Sequence, residues 1–326
     1  MKARILLFPG FLLLLGSLMA TYIAPVRDVE AQGNVPIWAQ VKDVAPFNFH
    51  ISSVFMLSEK VAWIAGEQDG SGRAIRMQFE GGKWTVTISS PSLRKPLTDI
   101  VAVSERNIWA IGREGFIVNM DESGSWKEVT NPMSGNQTVQ LNAIQMLGDG
   151  SEGWIAGWGV LGSRLGPSGA FVLRYKNNEW QRDLSLTSGS SLHGLHFAPG
   201  AGWVISPAAV WRYENDNWAQ EEIPPCKSGT SQCQYQFRGV RAINNSEAWI
   251  AGTYDLVYPQ QGGGGRASLL HRQDGKWKQV LPDESVIGDT LESTRASSSL
   301  SAISFSKDGI GLAVGSQAIR MGTGGG

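Results

Sequence analysis

The sequence predicts an all-β fold: a six-bladed β-propeller of four-stranded antiparallel blades, closed by an N-terminal strand that completes the last blade. Three observations predict it. A Trp-led apolar run recurs along the chain, six copies in all with the last one degenerate. Short apolar runs separated by Gly, Asn and Asp turns flank every copy, which is the pattern of strands and hairpins. A Trp strand with no repeat before it stands near the N-terminus, while the last repeat stops short of its own. The composition agrees. The 326 residues include 40 Gly and 13 Trp, and only 17% are charged, against roughly 25% in ordinary soluble domains. With 28 Lys and Arg against 29 Asp and Glu, the chain has no basic field for nucleic acid and no acidic solvating tail.

The N-terminus reads as an address. Lys2 and Arg4 precede an apolar run from Ile5 to Ala24, and Val29-Glu30-Ala31 fits a small-residue cleavage pattern before Gln32. Residues 1–31 are therefore expected to be an export signal or, uncleaved, an N-terminal membrane anchor, since about 20 apolar residues also suffice to cross a bilayer. Residues 32–326 form the propeller domain. The expected location is extracytoplasmic: secreted, periplasmic or at the cell surface.

The repeat comes next, because a fixed period decides the fold. Trp63-Ile64-Ala65-Gly66 returns as Trp109-Ala110-Ile111-Gly112, Trp154-Ile155-Ala156-Gly157, Trp203-Val204-Ile205-Ser206 and Trp249-Ile250-Ala251-Gly252, then more weakly as Leu312-Ala313-Val314-Gly315. The steps are 46, 45, 49, 46 and 63 residues. About ten residues upstream lies a first run, beginning at Ile51, Leu97, Leu141, Leu192, Phe237 and Leu300. Downstream comes a third run, such as Phe171-Val172-Leu173-Arg174, whose last copy is Ala318-Ile319-Arg320-Met321. A fourth begins at Trp84, Trp126, Trp180, Trp218 and Trp277. Four short antiparallel strands per repeat make a propeller blade. The missing sixth fourth-strand is expected from Ile37-Trp38-Ala39-Gln40-Val41, which looks like Trp277-Lys278-Gln279-Val280. The second-strand Trp residues are expected to be blade–blade core, because a blade cannot cover its own two faces.

The unit resembles the propeller repeat of the photosystem II stability/assembly factor family, and more loosely the neuraminidase Asp-box repeat. Gly153-Trp154-Ile155-Ala156-Gly157 carries the first half; Asp121-Glu122-Ser123-Gly124-Ser125-Trp126 and Asp274-Gly275-Lys276-Trp277 keep Asp, Gly and Trp of the second. The Thr before that Trp is lost, and Asn177-Asn178-Glu179-Trp180 and Asn215-Asp216-Asn217-Trp218 keep little but the Trp. The resemblance implies the fold; function carried over with it is analogy.

Function is expected on loops. The turns joining first to second strands are short, as in Ser58-Glu59-Lys60, whereas the connections joining second to third strands vary: Glu67 to Arg73, Trp158 to Gly169, Thr253 to Arg266. That variable face is the expected interaction surface. Candidate partner-binding residues there are Trp158, Tyr254, Asp255 and Tyr258. Near the mouth of the central channel, His193, Arg238 and Arg241, with His196, make one side locally basic, which suits an anion or carboxylate; ordinary bonding between blades is the competing reading. The third-strand Arg76, Arg174, Arg212 and Arg320 recur by blade and are expected to bridge blades rather than converge on a substrate. Cys226 and Cys233 are expected to form a local disulfide, as export favours. No metal site and no cofactor are expected.

The expected function is that of a non-enzymatic, monomeric binding or assembly protein recognising a protein or other macromolecule, with no nucleic acid and with the membrane met only through an N-terminal anchor. The alternative is a glycan-binding or sialidase-like glycoside-hydrolase propeller; a purely structural surface protein is the third reading. A sialidase needs three converging Arg and a Tyr nucleophile, and no Phe-Arg-Ile-Pro-like start is present in the sequence.

Overall fold

A computed structural model describes residues 4–9, 49–81, 83–133, 139–160, 168–186, 188–225, 233–256, 265–281, 296–305 and 310–319. Among them there are strands and turns and no helix. A short strand, β1 (Arg4–Pro9), is followed by the first sheet: β2 (Phe49–Ser58), β3 (Val61–Gln68), β4 (Ser71–Glu80) and β5 (Lys83–Ile88). The second sheet comprises β6 (Leu97–Ser104), β7 (Asn107–Gly112), β8 (Ile117–Met120) and β9 (Trp126–Glu128). The third holds β10 (Gln140–Met146), β11 (Gly153–Val160), β12 (Ser168–Lys176) and β13 (Glu179–Asp183). The fourth holds β14 (Gly194–Ala198), β15 (Ala201–Ile205), β16 (Val210–Glu214) and β17 (Asn217–Glu221). The fifth holds β18 (Cys233–Ala242), β19 (Ala248–Leu256), β20 (Gly265–Gln273) and β21 (Lys276–Leu281). The last contains β22 (Ala296–Phe305) and β23 (Ile310–Ile319). The first five are antiparallel meanders in chain order. Each matches one repeat of the sequence.

The turns follow from their residues. Asn177-Asn178, Asn215-Asp216 and Asp274-Gly275 all have φ near +50° to +76°, the left-handed pair that a two-residue hairpin matching strand twist requires. The Trp-x-x-Gly motif also has a physical cause. A Cβ on Gly66 would sit 2.0 Å from the carbonyl oxygen of His50, and one on Gly315 1.7 Å from that of Ser299. Each first strand bulges just there, between Ile51 and Ser53 and between Leu300 and Ala302, and pushes a carbonyl into the glycine's space. In the fourth sheet β14 begins only at Gly194, and Ser206 takes the glycine's place.

The core lies between sheets. Trp63 is fully buried against residues of the second sheet, and its ring meets Trp126 edge-on at 6.5 Å. Trp109 meets Trp180 of the third sheet at 5.8 Å, and Trp154 stacks on Phe197 of the fourth at 3.7 Å. Trp203 packs with residues of the fifth sheet, including Trp277, and Trp249 with Leu300 and Ala313 of the last. Each second-strand Trp thus covers the next sheet, as the repeat predicts.

The ends of the array depart from expectation. Ala318–Ile319 is not a separate third strand: β23 runs straight through Gly315 and pairs Ala318 with Ser297 of β22. The outer edge of β23 is taken instead by β1, in parallel register from Arg4 opposite Ile310 to Pro9 opposite Gly315. The expected closing strand around Trp38 lies outside the described residues.

Candidate functional site

The first strands of successive sheets lie side by side, joined by polar side chains. Thr98 Oγ1 donates to Leu141 O at 2.9 Å, and Asn142 Nδ2 donates to Leu192 O at 2.6 Å. Gln145 imitates a strand neighbour, accepting from Phe197 N–H at 2.7 Å and donating to its carbonyl at 3.0 Å. His196 Nδ1 accepts from Ala242 N–H at 3.2 Å. Burial, then the nearby Arg241 charge, holds this imidazole down at about 3, so it is a neutral acceptor. Asp99 joins three sheets: its carboxylate accepts from Ser53 Oγ at 2.5 Å, Ile100 N–H at 2.9 Å and Ile144 N–H at 2.9 Å. Burial pushes its pKa up, while those three donors pull it back.

Four residues at the Thr98 and Asn142 position keep exposed side chains: Ser52, His193, Arg238 and Ser301. His193 and Arg238 occupy the same repeat position as Thr98 and Asn142, in neighbouring sheets, and both are exposed. Partial dehydration beside the neighbouring strand first, then the Arg238 charge, lowers the His193 pKa. Arg241 is half-buried, and dehydration depresses its own pKa. Among the candidate residues these three, with His196, are brought together by β14, β18 and the residues leading into them.

The aromatic candidates fare differently. Trp158 is not in a loop. It lies in β11, opposite Gln140 and Ala170, and is half-buried against the core between the third and fourth sheets. Tyr254 lies in β19 with 2% of its surface exposed, in the core between the fourth and fifth sheets. Both strands run further than the apolar runs suggested, because polar residues continue the ladder beyond them. For the same reason Glu67 to Arg73 is no long loop: β3 and β4 continue to a tight turn at Asp69-Gly70, with φ of 49° and 79°. Asp255 is in β19, whereas Tyr258 and Cys226 lie outside the described residues, as does the side chain of Cys233. Among the described residues no group of His, Cys, Asp and Glu could hold a metal ion.

The third-strand Arg residues bridge sheets. Arg76 donates to Glu105 at 2.6 Å and Arg174 to Glu152 and Asp216. Arg212 pairs with Glu214 and reaches Asn245 O at 2.8 Å. Arg320 lies outside the described residues. A cluster missed in the sequence centres on Glu221, which accepts from Trp203 Nε1, Trp277 Nε1 and Arg272, all within 2.8–3.0 Å. Arg272 and Glu221 come from different sheets, so no spacing within one repeat signals their pairing.

No family model matches this chain, and no curated protein matches it at a significant level. Solved structures do. A structure of YCF48 bound to D1 peptide is 18% identical and covers 85% of this chain and 80% of that one, with a TM-score of 0.53. YCF48 from Cyanidioschyzon merolae is 13% identical over 84% of this chain and 95% of its own, with a TM-score of 0.43. An ancestral GH74 enzyme is 15% identical over 71% of this chain and 31% of its own, with a TM-score of 0.49. The likeness is one of fold. In sequence repeat and in backbone alike, the chain resembles the β-propeller of YCF48, a photosystem II assembly factor.

Proposed function

We propose that this chain is an exported, non-enzymatic six-bladed propeller that binds a protein segment on the face carrying its second-to-third strand connections. The observation that carries this reading is the use made of the polar groups. At the second position of the first runs Thr98 and Asn142 are bonded to the next sheet, whereas His193 and Arg238 are left exposed as a neighbouring imidazole and guanidinium; Ser52 and Ser301, in the first and last sheets, are exposed as well. Exposed groups held on a rigid scaffold suit recognition of a partner. The YCF48 structure of similar fold holds a peptide, which supports a peptide or protein ligand here as well.

The same reading includes ring closure. Val54 and Met56 of β2 are 56% and 52% exposed on the face opposite Trp63, the face that in every later sheet is covered by its predecessor. Val314 of β23 is 39% exposed at the other end of the array. Packing these two faces together closes the ring. Loss of residues 1–31 on export would free the edge of β23, which β1 occupies, for the closing segment expected at 37–41.

Function is tested by recovering partners from an envelope extract with the full chain, a variant lacking residues 257–264, and H193Q/R238Q. Both variants are expected to lose the partner. Unchanged recovery by both would contradict the assigned face. Binding on a glycan array, or release of chromophore from aryl glycosides, would favour the glycan-active alternative.

A further inference from the structure

A second feature lies on the same face, away from the inner strands. The start of β12, the end of β13 and the link to β14 enclose a recess of about 300 Å³, lined by Ser168, Gly169, Ala170, Arg182, Leu186 and Ser188. Arg182 Nε is buried there and has no hydrogen-bond partner among the described residues. The guanidinium makes no ion pair among the described residues. In this it resembles Arg73 and differs from Arg76, Arg174, Arg212 and Arg272, which each hold a carboxylate. The adjacent Asp183 makes no ion pair with it and instead accepts from Trp218 Nε1 and Ser185. A buried donor of a charged group without an acceptor is costly, and a ligand that supplies the acceptor recovers that cost.

We propose that this recess receives the side-chain carboxylate of an acidic residue in the bound protein segment. The charge argues for a carboxylate. Among the described residues Arg182 is the one cation lining the recess, and a planar fork with a single positive charge matches a monoanion held through two parallel hydrogen bonds. A phosphate dianion would keep half its charge uncompensated. The exposed Ser168 hydroxyl is a further donor at the rim, whereas that of Ser188 already donates to Ser190 O at 3.1 Å. The neighbourhood argues for a peptide: Leu184, two residues past Arg182, is 73% exposed and offers an apolar surface to a flanking side chain.

This inference rests on the protein-binding reading and names what the bound segment presents. Its test uses the full chain against three capped nonapeptide libraries, with a central Glu, Gln or phosphoserine and mixed flanking residues. The wild-type chain is expected to retain the Glu library about tenfold better than the Gln library. R182Q should lose that preference at unchanged circular dichroism, and R182K should keep only part of it, having the charge without the fork. Equal retention of Glu and Gln, a preference for phosphoserine alone, or an undiminished Glu preference in R182Q would each overturn the inference. Failure to bind peptides of any composition would overturn the protein-binding reading with it.

Discussion

At the scale of single residues, the account turns on side chains that tie one sheet to the next. His196 is the clearest case. Its pKa is about 3 in the fold and about 6.5 in the unfolded chain, so the unfolded state binds the extra proton first. The stability that its neutral ring contributes is complete above pH 6.5 and is lost as the pH falls toward 3. Protonation also turns Nδ1 into a donor facing the Ala242 N–H. Urea midpoints at pH 7, 5.5 and 4.5 are expected to fall more steeply for the native chain than for H196Q; equal slopes would show that this imidazole is not held neutral. Asp99→Ala should cost about 1–3 kcal/mol, because the Ile144 N–H loses its acceptor inside the structure. Partners of this kind were only half legible. Bonding between blades was legible as one reading of the polar residues in the first runs, and Thr98 and Asn142 provide it. Asp99, Arg182 and the Glu221 cluster gave no signal, since their environment is set by residues from other repeats.

The individual sheet was the most legible unit. Turn residues, apolar runs and Trp columns each marked a strand, and the five four-stranded sheets follow them. Strand lengths were not legible. Where β3, β4, β11 and β19 outrun their apolar runs, backbone pairing continues with polar or aromatic residues, so Trp158 and Tyr254 belong to strands. The motif glycine gives a sharp test at this scale. Gly157→Ala would place a methyl 2.5 Å from the Gln140 carbonyl oxygen and is expected to cost about 1–3 kcal/mol in thermal or urea unfolding. Ser206→Ala, where no such carbonyl intrudes but Ser206 Oγ accepts from Ala209 N–H, should cost about 1 kcal/mol or less. Similar large losses at both sites would mean that the motif is not a packing rule. Trp154→Ala removes a buried indole stacked on Phe197 and should cost about 3–5 kcal/mol.

For the whole molecule, the arrangement of the two ends decides whether the exposed loops share one face of a disc. The repeat was legible because each copy carries its own Trp or its Leu substitute, and the five four-stranded sheets follow it. The junction was not, because the last repeat lacks the turn that would end its second strand, and β23 consequently runs on. Closure is tested most directly by a cysteine pair, V54C/V314C, in a background with Cys226 and Cys233 replaced by Ser. Mild oxidation is expected to give an intramolecular disulfide whose yield does not change on dilution. A yield that falls with dilution and appears as covalent dimers, or no bond at all, would show that the first and last sheets do not meet.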